Sequence, residues 1–182
     1  MKIIRYNEDH LLEEEIERKV EKARGIILNE HGKALLVKYA GILMLPGGKI
    51  EEEDTAEALK REILEESGIE KISFNEEPFL RIDSYNRNYY DRKLEKHINR
   101  LTVTYFYFGE TKEKINEEKQ TLSQNEKSGN FSISFENLSI IRYLTENNRA
   151  DDIKKKNYNR EMLTALNEFA NYRSRENSKN ER

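Results

Sequence analysis

The chain has 182 residues, enough for one domain with a sizeable core and some terminal additions. Lysine and arginine total 32 against 35 aspartates and glutamates, a formal net charge of −3, so no global charge draws the protein to nucleic acid or to an acidic membrane. It has no cysteine, which excludes disulfides, thiolate metal sites and a thiol nucleophile and fits a reducing compartment.

The first ten residues carry charges where a signal peptide needs an apolar stretch, and no run approaches the roughly 18 apolar residues that cross a bilayer. A soluble, cytoplasmic protein without a membrane partner is the expectation. Residues 3–6 read as a short strand, and residues 11–20 as a solvated helical turn or two. Residues 25–28, a turn at Asn29-Glu30-His31-Gly32, and residues 34–39 predict a hairpin. The apolar run at 42–45 is ended by Pro46-Gly47-Gly48, whose backbone can approach a ligand closely.

Residues 54–68 predict a helix. Asp54-Thr55 offers an N-cap, residues 56–66 are mostly good helix formers, and Gly68 supplies a left-handed stop. At about 100° per residue, Glu62, Glu65 and Glu66 share a sector roughly 100° wide, beside an apolar row of Leu59 and Ile63. Three like charges beside a core cost several kcal/mol, on the order of a buried ion's penalty, unless something neutralises them. A hard divalent cation suits that task, because carboxylate oxygens are what magnesium and manganese prefer. Arg61 can orient one of the carboxylates through paired hydrogen bonds.

Beyond the helix, residues 72–74 and 79–85 are strand material around Pro78, and residues 86–98 read as a polar, basic and aromatic connection. Residues 101–108 are the most β-prone run and predict a central strand covered on both faces. A charged, turn-rich stretch follows to residue 130, then an alternating strand at 131–135 and a helix over 136–147. A second helix over 159–172 carries a stripe of Tyr158, Met162, Leu166, Phe169 and Tyr172, the pattern of core packing. Residues 173–182 have no apolar side chain to bury, which predicts fraying or disorder. His10, His31 and His97 lack ligand-like spacing and read as surface or turn residues.

The stretch from Gly47 to Ile69 resembles the signature of the Nudix (MutT-like) hydrolases: a glycine, five residues, a glutamate, seven residues, then Arg-Glu-apolar-any-Glu-Glu-any-Gly-apolar. Gly47, Glu53, Arg61, Glu62, Ile63, Glu65, Glu66, Gly68 and Ile69 fill every fixed position. By chance its charged and glycine positions would match on the order of once in 10⁷ starting points. Family members with Pro-Gly-Gly-Lys-Ile-Glu usually have a further glycine before the loop glutamate, so this loop is one residue shorter.

The resemblance implies an α/β fold, the Nudix-type α/β/α sandwich with a mixed sheet. The expected domain covers residues 1–174, with 1–22 as an N-terminal extension, 147–174 as a C-terminal helix and 175–182 as a disordered tail. The implied activity is hydrolysis of the pyrophosphate bond of a nucleoside diphosphate linked to another moiety, such as a dinucleoside polyphosphate, a nucleotide sugar or a nucleoside triphosphate. Carried onto this chain, Glu62 and Glu66 are the chief ligands of Mg2+ (or Mn2+), Glu65 is a further ligand or the base, and Arg61 supports them. Glu126 is the first choice for a ligand from a later loop, and Gln124 the second. Gly47, Gly48 and Glu53 belong to the substrate-binding loop. Tyr85 resembles the base-stacking tyrosine of the dinucleoside polyphosphate branch, although a tyrosine on a strand is equally a packed one. Two alternatives stay open: an RNA 5′-end pyrophosphohydrolase gripping its strand with the 86–100 segment, and a non-catalytic nucleotide-binding regulator. Many relatives are homodimers.

Overall fold

The computed structural model describes residues 1–91, 93–149 and 152–180, the side chains of 177, 179 and 180 excepted. Its strands are β1 (Lys2–Tyr6), β2 (Arg18–Leu28), β3 (Ala34–Tyr39), β4 (Ile42–Met44), β5 (Gly47–Lys49), β6 (Ser73–Phe74), β7 (Leu80–Asp91), β8 (Lys96–Glu110) and β9 (Ser132–Glu136). Its helices are α1 (Thr55–Ser67), α2 (Gln124–Ser128), α3 (Leu138–Glu146) and α4 (Ile153–Asn180).

The strands form one sheet in the order β1-β7-β8-β2-β3-β4, with β5 added to β2, β6 to β8 and β9 to β3. β1 runs parallel to β7 and β2 parallel to β8, while the other pairs are antiparallel, so the sheet is mixed. Alternation along the two central strands sorts their side chains between two cores. Ala23, Ile27 and Tyr107 turn towards α1 and pack with Ala58, Leu59 and Ile63. Ile26, Leu28, Phe106 and Phe108 turn the other way and pack with Ile141, Met162, Leu166 and Phe169 of α3 and α4. This is the expected α/β/α sandwich.

The helix predicted over 54–68 forms as its caps dictate. Asp54 Oδ1 accepts from the backbone N–H groups of Ala56 (2.9 Å) and Glu57 (3.0 Å), and Gly68 closes the helix at φ +70°. Asp54→Ala removes both acceptors and is expected to cost about 1 kcal/mol. That corresponds to roughly 2–4 °C in thermal midpoint for a chain of this size, read by calorimetry; no shift would mean that packing alone starts the helix.

Residues 1–22, expected as an N-terminal extension, add β1 and the start of β2 to the sheet. Three local expectations are corrected. The helical turns expected over 11–20 reduce to a 3₁₀ turn at Glu13–Glu15, since the residues that follow pair with β8 from Arg18 onward. The 86–98 connection is a continuation of β7 and β8, which stay paired from Tyr89↔Ile98 to Asp91↔Lys96 beyond a one-residue bulge. Arg92, in the same segment, lies outside the described residues. At the other end, α4 continues to Asn180, past the last apolar side chain. The Ser174 and Ser178 hydroxyls donate to the carbonyls of Ala170 and Ser174 there. The rest of the tail, Glu181 and Arg182, lies outside the described residues.

The hairpin expected between residues 25 and 39 meets at a single pair, Leu28↔Ala34. β2 and β3 then diverge, β2 taking β5 as its neighbour at Lys22–Arg24 and β3 taking β4 and β9. The opening between them is where the Gly47-Gly48 loop and the acidic edge of α1 meet.

Candidate active site

α1 presents its three glutamates unequally. Glu66 is 5% exposed and its Oε2 accepts the Gly47 N–H at 3.0 Å. Burial pushes its carboxyl up to about 8, against the Gly47 bond and the nearby Arg24, while Glu62 and Glu126 push it further up. Glu62 is partly buried beneath Gly48, and a Cβ on Gly48 would stand 2.3 Å from its carboxylate. Burial raises the Glu62 pKa as well, opposed by its bond to Arg61. Glu65 is the most exposed of the three, at 41%, and approaches Arg61 Nη1 at 3.5 Å.

Arg61 ties the loop to the helix. Its Nε and Nη2 both donate to Glu53 Oε1 (3.2 and 2.8 Å), Nη2 donates also to the Lys49 carbonyl (3.0 Å), and Nη1 donates to Glu62 Oε1 (2.9 Å). The Glu53 bond is the main cause of a lowered Glu53 pKa and a raised Arg61 pKa. A lysine cannot span these acceptors, because it lacks the planar fork. Arg61→Lys is therefore expected to lower turnover about 10- to 100-fold, the usual effect of loosening groups that orient a site. Steady-state kinetics would check it, and an unchanged kcat would reduce Arg61 to a surface ion pair.

Glu126 sits at the start of α2 in a capping box with Ser123, its Oε2 accepting from the Ser123 N–H and Oγ at 2.7 Å each. Its charge reaches Glu62 and Glu66 and raises both. Gln124 opens the same short helix. Tyr85 stands apart from this cluster: four residues along β8 separate its partner Leu101 from Tyr105, which pairs with Ala23 opposite Gly48, roughly 13 Å. Its ring is buried with Leu11, Leu101 and Val103, and its hydroxyl donates to Glu13 at 3.2 Å. The residue is packed in the sheet and also borders the pocket beside the far end of β7.

Several contributors escaped the sequence reading. The segment after β8 straps the C-terminal end of α1: Asn116 N–H reaches the Ser67 carbonyl, Thr121 N–H that of Glu65, and the Gln120 side-chain amide that of Glu66. These bonds satisfy the carbonyls that a helix end leaves open. Arg24 is 4% exposed, donates to the Leu45 carbonyl, and stands 3.5 Å from Glu161. Lys22 and Arg24 both approach the Tyr158 ring, at 5.6 Å from its centroid. Tyr158 thus leaves the packing stripe of α4. The only signal for this was the alternation Lys22-Ala23-Arg24, which puts both cations on one face of a strand.

Among the described residues no three acidic or imidazole side chains stand at metal-ligand spacing, Arg61 lying among the carboxylates instead. The donor chemistry nevertheless fits a hard cation. The candidate ligands on α1 are all carboxylate oxygens, and the most buried one is destabilised as an anion where it stands.

The model of the NUDIX domain matches residues 19–155. The chain belongs to the Nudix family. As a Nudix hydrolase it also resembles solved structures of the same fold. The MutT protein of Methanosarcina mazei Go1 matches at 18% identity and a TM-score of 0.52, covering 86% of this chain and 96% of that one. An Ap4A hydrolase binary complex from C. elegans matches at 17% and 0.52, covering 85% and 98%. A NUDIX hydrolase from Nitrosomonas europaea matches at 16% and 0.51, covering 84% and 88%. Identities this low speak for the fold alone. No curated protein matches. Among the described residues no helix of this Nudix hydrolase is long and apolar enough to cross a membrane.

Proposed function

We propose that this Nudix hydrolase cleaves the phosphoanhydride of a nucleoside diphosphate joined to another moiety, with Mg2+ or Mn2+ held by Glu62, Glu66 and Glu65 and with Glu126 contributing from α2. The observation that carries this reading is the buried Glu66 carboxylate at the mouth of the β2–β3 opening, flanked by Glu62 and backed by the Gly47 N–H. A bound divalent cation would offset the phosphate charge and acidify a coordinated water.

The chain's own groups do the remaining work. Gly47 and Gly48, lacking side chains, let the loop backbone close on β2 and on the Glu62 carboxylate. Arg61 holds Glu62 and Glu53 in place. Glu65, the least buried and most loosely held of the three, is placed to take the proton from the attacking water. The water oxygen bonds to phosphorus, and the bridging P–O bond breaks with its electron pair leaving on the departing phosphate. The reaction is redox-neutral, and a soluble anionic nucleotide is its small-molecule partner.

The test is a panel of dinucleoside polyphosphates, nucleotide sugars and nucleoside triphosphates, assayed for product with magnesium, with manganese and with chelator. Turnover that needs the metal and appears for one class supports the reading. Flat results across the panel, or turnover indifferent to chelator, would refute it.

A further inference from the structure

The paired extension of β7 and β8 and the first turns of α4 enclose an open pocket of about 980 Å³. That is the size of pockets that hold nucleotide-sized ligands, roughly 300–1,000 Å³. It lies away from the carboxylates: five residues along β8 separate Tyr105, level with the catalytic loop, from Arg100 opposite Asn86, about 17 Å.

Three features of its lining suit a nucleoside phosphate. First, four cations, Arg87, Lys154, Lys156 and Arg160, face two acids, Glu8 and Asp9, leaving a surplus of positive charge. Arg160 is paired with Glu8 and Arg87 with Glu15, so the exposed Lys154 and Lys156 carry that surplus. Second, the exposed Asn88 amide offers a donor and an acceptor of the kind that read a base edge, beside Asn86 and Asn157, which bond each other at 3.4 Å. Third, the bulge between Asn86 and Tyr89, with Asn88 at φ +54°, shifts the alternation by one residue. It brings Tyr89 onto the same face as Asn86, where the Arg100 guanidinium lies 3.3 Å from its ring centroid. Bulges re-aim side chains in this way, and a tyrosine ring backed by a cation is a stacking platform.

A row of cations joins the two places. Arg24 lies within electrostatic reach of Glu66. Arg24 and Lys22 flank Tyr158. Lys154, which lines the pocket, also acts on Tyr158. Arg24 is buried against the Leu45 carbonyl and Glu161, so the half-buried Lys22 and the exposed Lys154 are the cations of this row that a chain of phosphates can meet.

We propose that the pocket between the β7–β8 extension and α4 is a second nucleoside site, and that the substrate is a dinucleoside polyphosphate whose phosphate chain follows Lys22 and Lys154. The assignment rests on the hydrolase reading of the carboxylate site. It explains why the β7–β8 pair extends so far beyond the strands that carry α1.

Diadenosine tetraphosphate, ATP and a 5′-triphosphorylated RNA oligonucleotide separate the outcomes. Each is measured against the wild-type protein, the double variant Lys154→Glu/Lys156→Glu and Tyr89→Ala, with magnesium for turnover and without it for calorimetric binding. Both variants are expected to raise KM and Kd for diadenosine tetraphosphate about tenfold or more, with kcat unchanged and the ATP values moving less than about twofold. The double variant changes only exposed side chains, so its result stands even if Tyr89→Ala loosens the hairpin. Equal losses for ATP and diadenosine tetraphosphate, no loss for either, or a loss confined to the RNA would overturn the second site. Pocket-dependent binding of diadenosine tetraphosphate by a protein that hydrolyses none of the three would instead refute the catalytic reading and leave the pocket standing.

Discussion

Glu66→Gln is expected to lower kcat by about 10³-fold while the fold stays intact. A metal ion in a phosphoryl-transfer site supplies several kcal/mol of charge stabilisation, and each 1.36 kcal/mol is about a tenfold change in rate. Removing the most buried anionic ligand forfeits most of that. Stability responds differently. With the carboxyl pushed up to about 8 by burial, Glu66 in metal-free protein near pH 7 is largely in its neutral form, and glutamine is close to it in shape. Its side-chain oxygen can still accept the Gly47 N–H. The thermal midpoint in chelator should therefore stay within about 0.5 kcal/mol of wild type. Wild-type kcat in the variant would remove Glu66 from the machinery, and an unfolded variant would mean its charge is structural.

The second large effect is on the glycine pair, whose members should fail for different reasons. Gly47 has φ +125°, and a Cβ there would stand 2.2 Å from the Ala23 carbonyl oxygen and 2.9 Å from Arg24 Cα. Both are backbone atoms of the strand that β5 pairs with, so neither can yield. Gly47→Ala is expected to cost about 3 kcal/mol or more, from a strained backbone and a broken β2–β5 pairing, and roughly 6–12 °C in midpoint. Turnover should fall with it, since the N–H bonded to Glu66 moves. Gly48 differs: its added Cβ would meet the Glu62 carboxylate, the far end of a flexible side chain. Gly48→Ala should leave the midpoint within about 1 kcal/mol and lose activity through a displaced Glu62. Equal destabilisation by both substitutions would contradict this division.

The loop geometry also accounts for the shortened signature. Gly47 and Gly48 are bonded to β2 as strand residues, and Arg61 reaches back to both the Lys49 carbonyl and Glu53. The carboxylate is brought to the guanidinium by this closure, so one residue fewer between the glycines and Glu53 still leaves Glu53 in reach.

Much of the molecule was legible in the residue pattern because its determinants are local. The α1 helix follows from Asp54, Gly68 and the residues between them, and its acidic edge follows from a 3.6-residue repeat. The two-faced β8 strand and the Met162, Leu166 and Phe169 stripe follow from period alone. What pattern could not supply depends on partners distant in the chain. Residues 3–6 read as a strand from their pattern, but that they lie parallel to residues 80–84 follows only from the tertiary structure. The polar 86–98 segment is a strand because its two arms bond each other, which requires no apolar side chains. Three glutamates that look alike in sequence differ in surroundings because the sheet buries Glu66, Gly48 overhangs Glu62, and solvent reaches Glu65. Helix geometry set their spacing; only long-range packing set their solvation, and solvation is what separates one carboxylate's chemistry from another's.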